Sequence, residues 1–127
     1  MNKIFFVFLG GGIGSIGRHL ISSISFTDTT SMSFPLATFM TNLIGCFIIG
    51  LLTGKIDLNK NLNLLLVTGF CGGFTTFSTF SKETLFLISE QKLFIAITYV
   101  VSSIVIGITL AGIGFYLTNK NQKQLDY

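Results

Sequence analysis

Charged side chains are scarce in this chain of 127 residues: they make up 10% of it, and tryptophan is absent. A soluble domain usually carries about a quarter charged residues, so the chain has too little polar surface for that class. Half of the residues are hydrophobic, and the mean hydropathy is +0.75. These values indicate an integral membrane protein, and the length allows roughly four spans of ~20 residues.

Several kinds of site are also missing. Cys46 and Cys71 lie in different apolar segments without a C-x-x-C spacing, so we interpret them as small packing residues and expect neither a metal site nor a disulfide. The net charge of +3 is scattered and forms no basic run with interleaved aromatics, which argues against nucleic-acid binding. We find no nucleophile–base pair and therefore expect no enzyme.

Four apolar segments cover residues 4–24, 35–54, 62–88 and 93–117, and we predict that they form one membrane domain of four α-helical spans. Residues 27–33 are expected to form a loop, and residues 118–127 a polar tail. The first segment could instead be a signal peptide. Arg18, the glycine cluster before it and the three comparable segments that follow argue against that alternative.

The third segment contains the most informative stretch, residues 69–81, with the sequence GFCGGFTTFSTFS. Gly72-Gly73 loosens the backbone, so we predict that the third helix is broken there. A helix break at membrane depth must be buried in protein or line a watery cavity, because lipid cannot satisfy free carbonyls. Phe77 and Phe80 would share one helix face. The alternative is a glycine-rich packing seam filled by aromatic rings.

Residues 12–17 match the dinucleotide motif G-x-G-x-x-G. A Rossmann site would need a βαβ unit and an acidic residue about 20 positions later, and the sequence has neither. Close helix packing through small residues fits better, and Gly10 and Gly14 form a small-xxx-small pair.

Arg18 is the only arginine and lies inside the first span. A cation within a span is costly and indicates function, so we predict a role at a cavity mouth or in an ion pathway. Snorkelling to the interface is the alternative. His19 has no companion ligand residue, and we expect it to be structural or interfacial.

Polar residues recur at a spacing of four: Thr38 with Asn42, and Tyr99 with Ser103. Together with residues 77–80 they suggest a narrow, partly polar pathway. We expect no carboxylate in it, since every acidic residue lies in a loop, in the tail or near a span end: Asp28, Asp57, Glu83, Glu90 and Asp126. N–H groups, O–H groups and the positive edges of aromatic rings suit a small anion.

Cations predict the orientation. The side shared by both termini holds Lys3, Lys55, Lys60, Lys120 and Lys123, whereas the other side holds Lys92 and at most Lys82. We therefore expect cytoplasmic termini and one preferred orientation.

These motifs resemble those of the Fluc (CrcB) family of small fluoride channels over nearly the whole chain. The residues that carry the resemblance fall in each of the four segments: Gly10, Gly11, Gly14, Ser15 and Arg18; Thr38, Asn42, Gly45 and Phe47; residues 69–81; and Tyr99 and Ser103. The third set is the most specific.

The resemblance implies an antiparallel dimer with two fluoride pores and a central structural sodium ion. Phe77 and Phe80 would contact fluoride through their ring edges, and Asn42 would be a donor at the pore. A polar track would comprise Ser78, Thr79, Tyr99 and Ser103, and Arg18 would lie at the vestibule. The backbone carbonyls of Gly72 and Thr75 would hold the sodium.

We therefore predict a passive, fluoride-selective channel in the cell membrane that lowers cytoplasmic fluoride and its toxicity. Its partner would be a second copy or an oppositely oriented paralogue. A small four-span exchanger or multidrug-type transporter is the first alternative, and a coupling carboxylate in a span would favour it. A non-transporting membrane assembly subunit is the second.

Overall fold

The computed structural model describes residues 2–25, 34–54 and 58–123. Its elements are α1 (Asn2–Ser25), α2 (Leu36–Thr53), α3 (Lys60–Asn63), a π-helical segment (Leu64–Cys71), α4 (Gly72–Phe74), α5 (Phe77–Ser89) and α6 (Leu93–Lys123). The described ranges contain no β-strand. The predicted loop at 27–33 and Lys55 lie outside them.

Four stretches are long and apolar enough to cross a membrane: Lys3–Ser23, Leu36–Thr53, Lys60–Ser89 and Leu93–Asn119. The third, which we call the third span, comprises α3, the π-helical segment, α4 and α5. The prediction of an all-α membrane protein with four spans, the third of them broken, is confirmed. Large apolar side chains such as Phe94, 83% exposed, cover the outside of the bundle, as expected where lipid is the solvent.

The last helix is longer than predicted. Helix α6 continues to Lys123, so the polar residues 118–123 extend the helix beyond the predicted end of the fourth span at residue 117. No glycine or proline follows Gly114, and the Thr118 hydroxyl donates to the Gly114 carbonyl at 3.1 Å within the helix. Nothing in this stretch interrupts the backbone ladder.

Glycines allow the helices to approach closely at two seams. In the first, α1 packs against the π-helical segment and α4, and a Cβ on Gly10 or Gly14 would overlap the carbonyl of Leu65 or Phe70. In the second, α2 packs against α6, and a Cβ on Gly50 would overlap the carbonyl of Ala111. The predicted close packing of Gly10 and Gly14 is confirmed.

Candidate functional site

The third span is interrupted at Thr75 and Thr76. Thr75 has φ −79° and ψ 157°, and Thr76 has φ −147° and ψ 111°, so both are extended between α4 and α5. The predicted position of the break, Gly72-Gly73, is wrong: Gly72 is helical with φ −64° and ψ −35°. Gly73 instead allows α4 to pack closely against α1, because a Cβ there would overlap the carbonyl oxygen of Gly11.

Side chains hold this break. The Asn42 carboxamide takes up both backbone groups of Thr76: Oδ1 accepts from the Thr76 N–H at 2.8 Å, and Nδ2 donates to the Thr76 carbonyl at 3.2 Å. Thr76 is also the N-cap of α5, since its Oγ1 accepts from the Thr79 N–H at 3.2 Å. The same hydroxyl lies 3.2 Å from Ser78 Oγ and donates to Thr79 Oγ1 at 3.0 Å.

These hydrogen bonds free two carbonyls. In a continuous helix the N–H groups of Thr76 and Thr79 would donate to the carbonyls of Gly72 and Thr75, four positions earlier. Here they donate to the side chains of Asn42 and Thr76 instead. The carbonyls of Gly72 and Thr75 therefore lack their helical partners.

Two phenyl rings follow the break. The centroids of Phe77 and Phe80 are 5.7 Å apart, and Phe77 is 79% exposed on this chain. The Phe80 ring packs on Tyr99 with centroids 4.9 Å apart, and Tyr99 is fully buried. One ring is thus fixed within the bundle, while the other projects from it.

A partly buried carboxylate connects three helices of the bundle. Glu83, in α5, accepts hydrogen bonds from Thr38 Oγ1 and from the Tyr99 hydroxyl, each at 2.8 Å. It thereby connects α5 to α2 and α6. The sequence predicted Glu83 near the end of the third span, but not its hydrogen bonds to Thr38 and Tyr99. The spacing of Thr76, Phe80 and Glu83 at steps of four and three could have located it on one helix face.

A polar cavity of about 230 Å³ adjoins the break at Thr76. It is lined by Ser15, Arg18, His19, Ser22, Thr38, Thr41, Thr76 and Thr79. Arg18 therefore faces a polar cavity rather than standing alone in the first span, and His19 lies beside it. Apart from these two residues, every residue in this lining is a serine or a threonine.

An open groove of about 560 Å³ also adjoins the break. Its lining comprises Asn42, Gly45, Cys46, Ile49, Val67, Thr68, Cys71, Gly72, Thr75, Thr76, Phe77, Phe80, Ser103 and Ile104. Six of the site residues predicted from the sequence meet here: Asn42, Gly72, Thr75, Phe77, Phe80 and Ser103. Within the described ranges, the buried Ser103 hydroxyl has no hydrogen-bond partner.

The remaining predicted residues lie around this groove. Thr79 and Arg18 line the polar cavity, Ser78 is exposed, and Tyr99 is buried beneath Phe80 with its hydroxyl on Glu83. Thr76, which was not among the predicted site residues, lines both spaces. It lies between the cavity that holds the arginine and the groove that holds the phenyl rings.

Comparison with known proteins places this arrangement in a family. The profile of the family described as "CrcB-like protein, Camphor Resistance (CrcB)" matches residues 5–115. A protein of Methylobacillus flagellatus is 44% identical over 121 residues, covering 92% of this chain and 94% of its own length. One from Phocaeicola vulgatus is 40% identical and covers 93% and 99%, and one from Oceanobacillus iheyensis is 43% identical and covers 99% and 98%.

All three relatives carry the name "Fluoride-specific ion channel FluC". The similarity extends through all four spans and includes the helix break, the groove and the polar cavity. The chain belongs to the CrcB-like family.

Proposed function

We propose that this chain forms a passive, fluoride-selective channel. The observation that carries the proposal is its relationship to proteins named as fluoride-specific ion channels, at 40–44% identity over more than nine-tenths of the chain. Those names also agree with the prediction that the chain is not an enzyme. The polar groups around the helix break supply a chemistry that suits fluoride.

Fluoride needs hydrogen-bond donors to replace its water shell, and the site has neutral ones. Asn42 Nδ2 carries a second hydrogen beside the one that it gives to Thr76. The Ser103 hydroxyl has no partner among the described residues, and the Phe77 and Phe80 rings offer positive edges. With Ser78, Thr79 and Tyr99, these groups would form the pathway, and Arg18 would attract the anion into the polar cavity.

The groove supports an antiparallel second subunit, either another copy or an oppositely oriented paralogue. Gly72 is exposed on the single chain, and no atom lies within 4 Å of a Cβ built there. Gly72 and Thr75, whose carbonyls lack their helical partners, are both among the residues that line this open groove. An inverted partner would bring a second pair of carbonyls opposite them and would complete two pores, one on each side of the contact.

The carbonyls of Gly72 and Thr75 also fit a structural sodium ion. Hard cations prefer oxygen ligands, and unwound backbone supplies them without a fixed charge. Two carbonyls from each of two subunits would provide four ligands. Bound there, the ion would offset the mutual repulsion of carbonyl dipoles at the centre of the dimer.

The proposed physiological role follows from the chemistry of fluoride. Hydrogen fluoride crosses a membrane uncharged and dissociates inside, where the anion is trapped. A membrane potential that is negative inside drives the anion out through a channel, with about 2.3 kcal/mol per 100 mV. The lysine distribution supports cytoplasmic termini in a bacterial-type cell membrane.

Glu83 favours one other function, a small four-span exchanger, because a carboxylate within a span can couple transport to protons. However, both of its oxygens accept hydrogen bonds from Thr38 and Tyr99. These contacts tie the side chain to two neighbouring helices, which suits a fixed structural role better than a carrier that must be free to bind and release. The channel therefore remains the better proposal.

Growth in fluoride tests the proposed role. In a bacterial strain without its own fluoride exporter, the wild-type chain should restore growth at millimolar fluoride. Phe77→Ile should abolish the rescue, because isoleucine fills space but has no ring edge. Phe94→Ile, at an exposed position of α6, is the matched control and should rescue fully. Equal rescue by both variants would instead favour an assembly subunit, in which only packing matters.

A further inference from the structure

The helix break depends on a side chain that lies 34 positions earlier in the sequence. Asn42, in α2, pairs its carboxamide with the peptide of Thr76 through one accepted and one donated hydrogen bond, at 2.8 Å and 3.2 Å. The pairing fixes the orientation of the amide, because rotation by 180° would set N–H against N–H and oxygen against oxygen. Asn42 therefore supplies both hydrogen bonds that the extended Thr76 backbone requires.

Without this amide, the Gly72 carbonyl is the acceptor that an α-helix would offer to the Thr76 N–H. Thr76 is 8% exposed, and a free N–H at membrane depth is strongly disfavoured. Closing one more helical turn would direct it to the Gly72 carbonyl, four positions earlier. Asn42 and the Gly72 carbonyl thus compete for the same donor.

We infer that Asn42 is a positioning residue for a cation site as well as a pore donor: it occupies the Thr76 N–H and so keeps the Gly72 carbonyl free. This inference rests on the proposed sodium site. Its consequence is that the affinity for sodium depends on a side chain of α2 that does not itself contact the ion. Loss of the carboxamide should weaken sodium binding even when no fluoride is present.

The test measures sodium binding through stability rather than transport. Purified protein in detergent, without fluoride, is heated at increasing NaCl concentration, with choline chloride keeping the ionic strength constant. A ligand that binds only the folded state raises the thermal midpoint according to its free concentration, so the midpoints give a half-saturating sodium concentration. Circular dichroism follows the loss of helix.

Two variants remove the carboxamide, Asn42→Leu with similar volume and Asn42→Ser with a short polar group. Both should raise the half-saturating sodium concentration about tenfold or more, the factor that one or two hydrogen bonds carry. Thr53→Val is the matched control in the same helix. The Thr53 hydroxyl donates to the carbonyls of Ile49 and Gly50, which belong to α2 itself, so its removal should leave the half-saturating sodium concentration unchanged. Phe77→Ile should abolish fluoride efflux and leave the response to sodium unchanged.

An unchanged sodium response in both Asn42 variants, combined with lost fluoride efflux, would overturn the inference and leave Asn42 as a pore donor alone. A wild-type midpoint that does not depend on sodium would overturn it as well. Fluoride efflux by that same wild-type protein would then show that the proposed channel function stands, so the two failures can be told apart.

If neither Asn42 variant folds, hydrogen exchange on the wild-type protein decides. NMR in sodium-free buffer should find the Thr76 amide protected to the same degree as the helical amides of α5, because Asn42 accepts from it with or without the cation. Exchange as fast as that of a solvated turn would overturn the inference.

Discussion

The buried hydroxyl of Tyr99 offers the sharpest test of the network inside the bundle. Tyr99→Phe removes one oxygen and leaves the ring contacts in place, with centroids 5.3 Å from Phe34 and 4.9 Å from Phe80. The lost interaction is therefore the 2.8 Å hydrogen bond to Glu83 Oε2. A hydrogen bond to a charged group contributes about 1.5–3 kcal/mol, and the Glu83 oxygen would be left without that donor.

Thermal unfolding in detergent, followed by the loss of helical circular dichroism, measures the effect. Tyr99→Phe should lower the midpoint by about 5 °C or more. Tyr116→Phe is the matched control: it lies in the same helix, is 65% exposed, and should leave the midpoint within ~1 °C.

A second background isolates the bond. In a Glu83→Ala chain, the further change Tyr99→Phe should lower the free energy of unfolding much less, because the hydrogen-bond acceptor is already gone. The difference between the two losses in free energy is the coupling energy of Tyr99 and Glu83. Equal midpoints for the Tyr99 and Tyr116 variants, or equal costs of Tyr99→Phe in both backgrounds, would refute the proposed network.

Three further predictions concern the seam, the cap and the polar cavity. Gly10→Ala should lower the free energy of unfolding by about 1–3 kcal/mol, because its Cβ would overlap backbone of the third span. Gly12→Ala is the control and should leave it unchanged, since no atom of a neighbouring segment lies within 4 Å of a Cβ there. Equal melting midpoints for these two variants would contradict the close packing at Gly10. Thr76→Val removes the N-cap of α5 and should lower the free energy of unfolding by about 0.5–2 kcal/mol. Thr76→Ser keeps the capping hydroxyl and should retain that stability in the same unfolding assay. Arg18→Gln should slow fluoride efflux from liposomes roughly tenfold at low salt and less at high salt. Lys3→Gln, at the start of the same helix, should not slow it. If Arg18→Gln slowed efflux equally at low and high salt, electrostatic attraction of fluoride by Arg18 would be refuted.

The sequence predicted the helices well because hydropathy and length reflect the surrounding lipid, which acts on each segment separately. It also predicted the packing of Gly10 and Gly14, since a small-xxx-small pair is a local pattern. Both features depend on residues that are close together in the chain. Interactions between distant residues were harder to anticipate.

The position of the break shows this difficulty. Gly72-Gly73 looked like the weak point because glycine lowers helix propensity, yet Gly72 stays helical. The chain leaves the helix at Thr76, where Asn42 from another span takes up the backbone hydrogen bonds. Local propensity could not reveal this, because the deciding interaction is tertiary.

The contacts of Glu83 could not be predicted from the sequence for a related reason. Its distance along the chain from the next loop suggested an interfacial residue, but its partners Thr38 and Tyr99 come from two other helices. The spacing of four paired Thr38 with Asn42 and Tyr99 with Ser103, within α2 and α6 respectively. What the pattern concealed was that Thr38 and Tyr99 both donate to one carboxylate.

Fluoride flux without a proton gradient tests the central claim most directly. Liposomes containing the purified chain are loaded with potassium fluoride, valinomycin sets the potential, and the pH is equal on both sides; a fluoride electrode records efflux, and a parallel sample records chloride. We expect rapid fluoride release and negligible chloride release. Flux that requires a pH gradient, or chloride release as rapid as that of fluoride, would contradict a passive fluoride-selective channel.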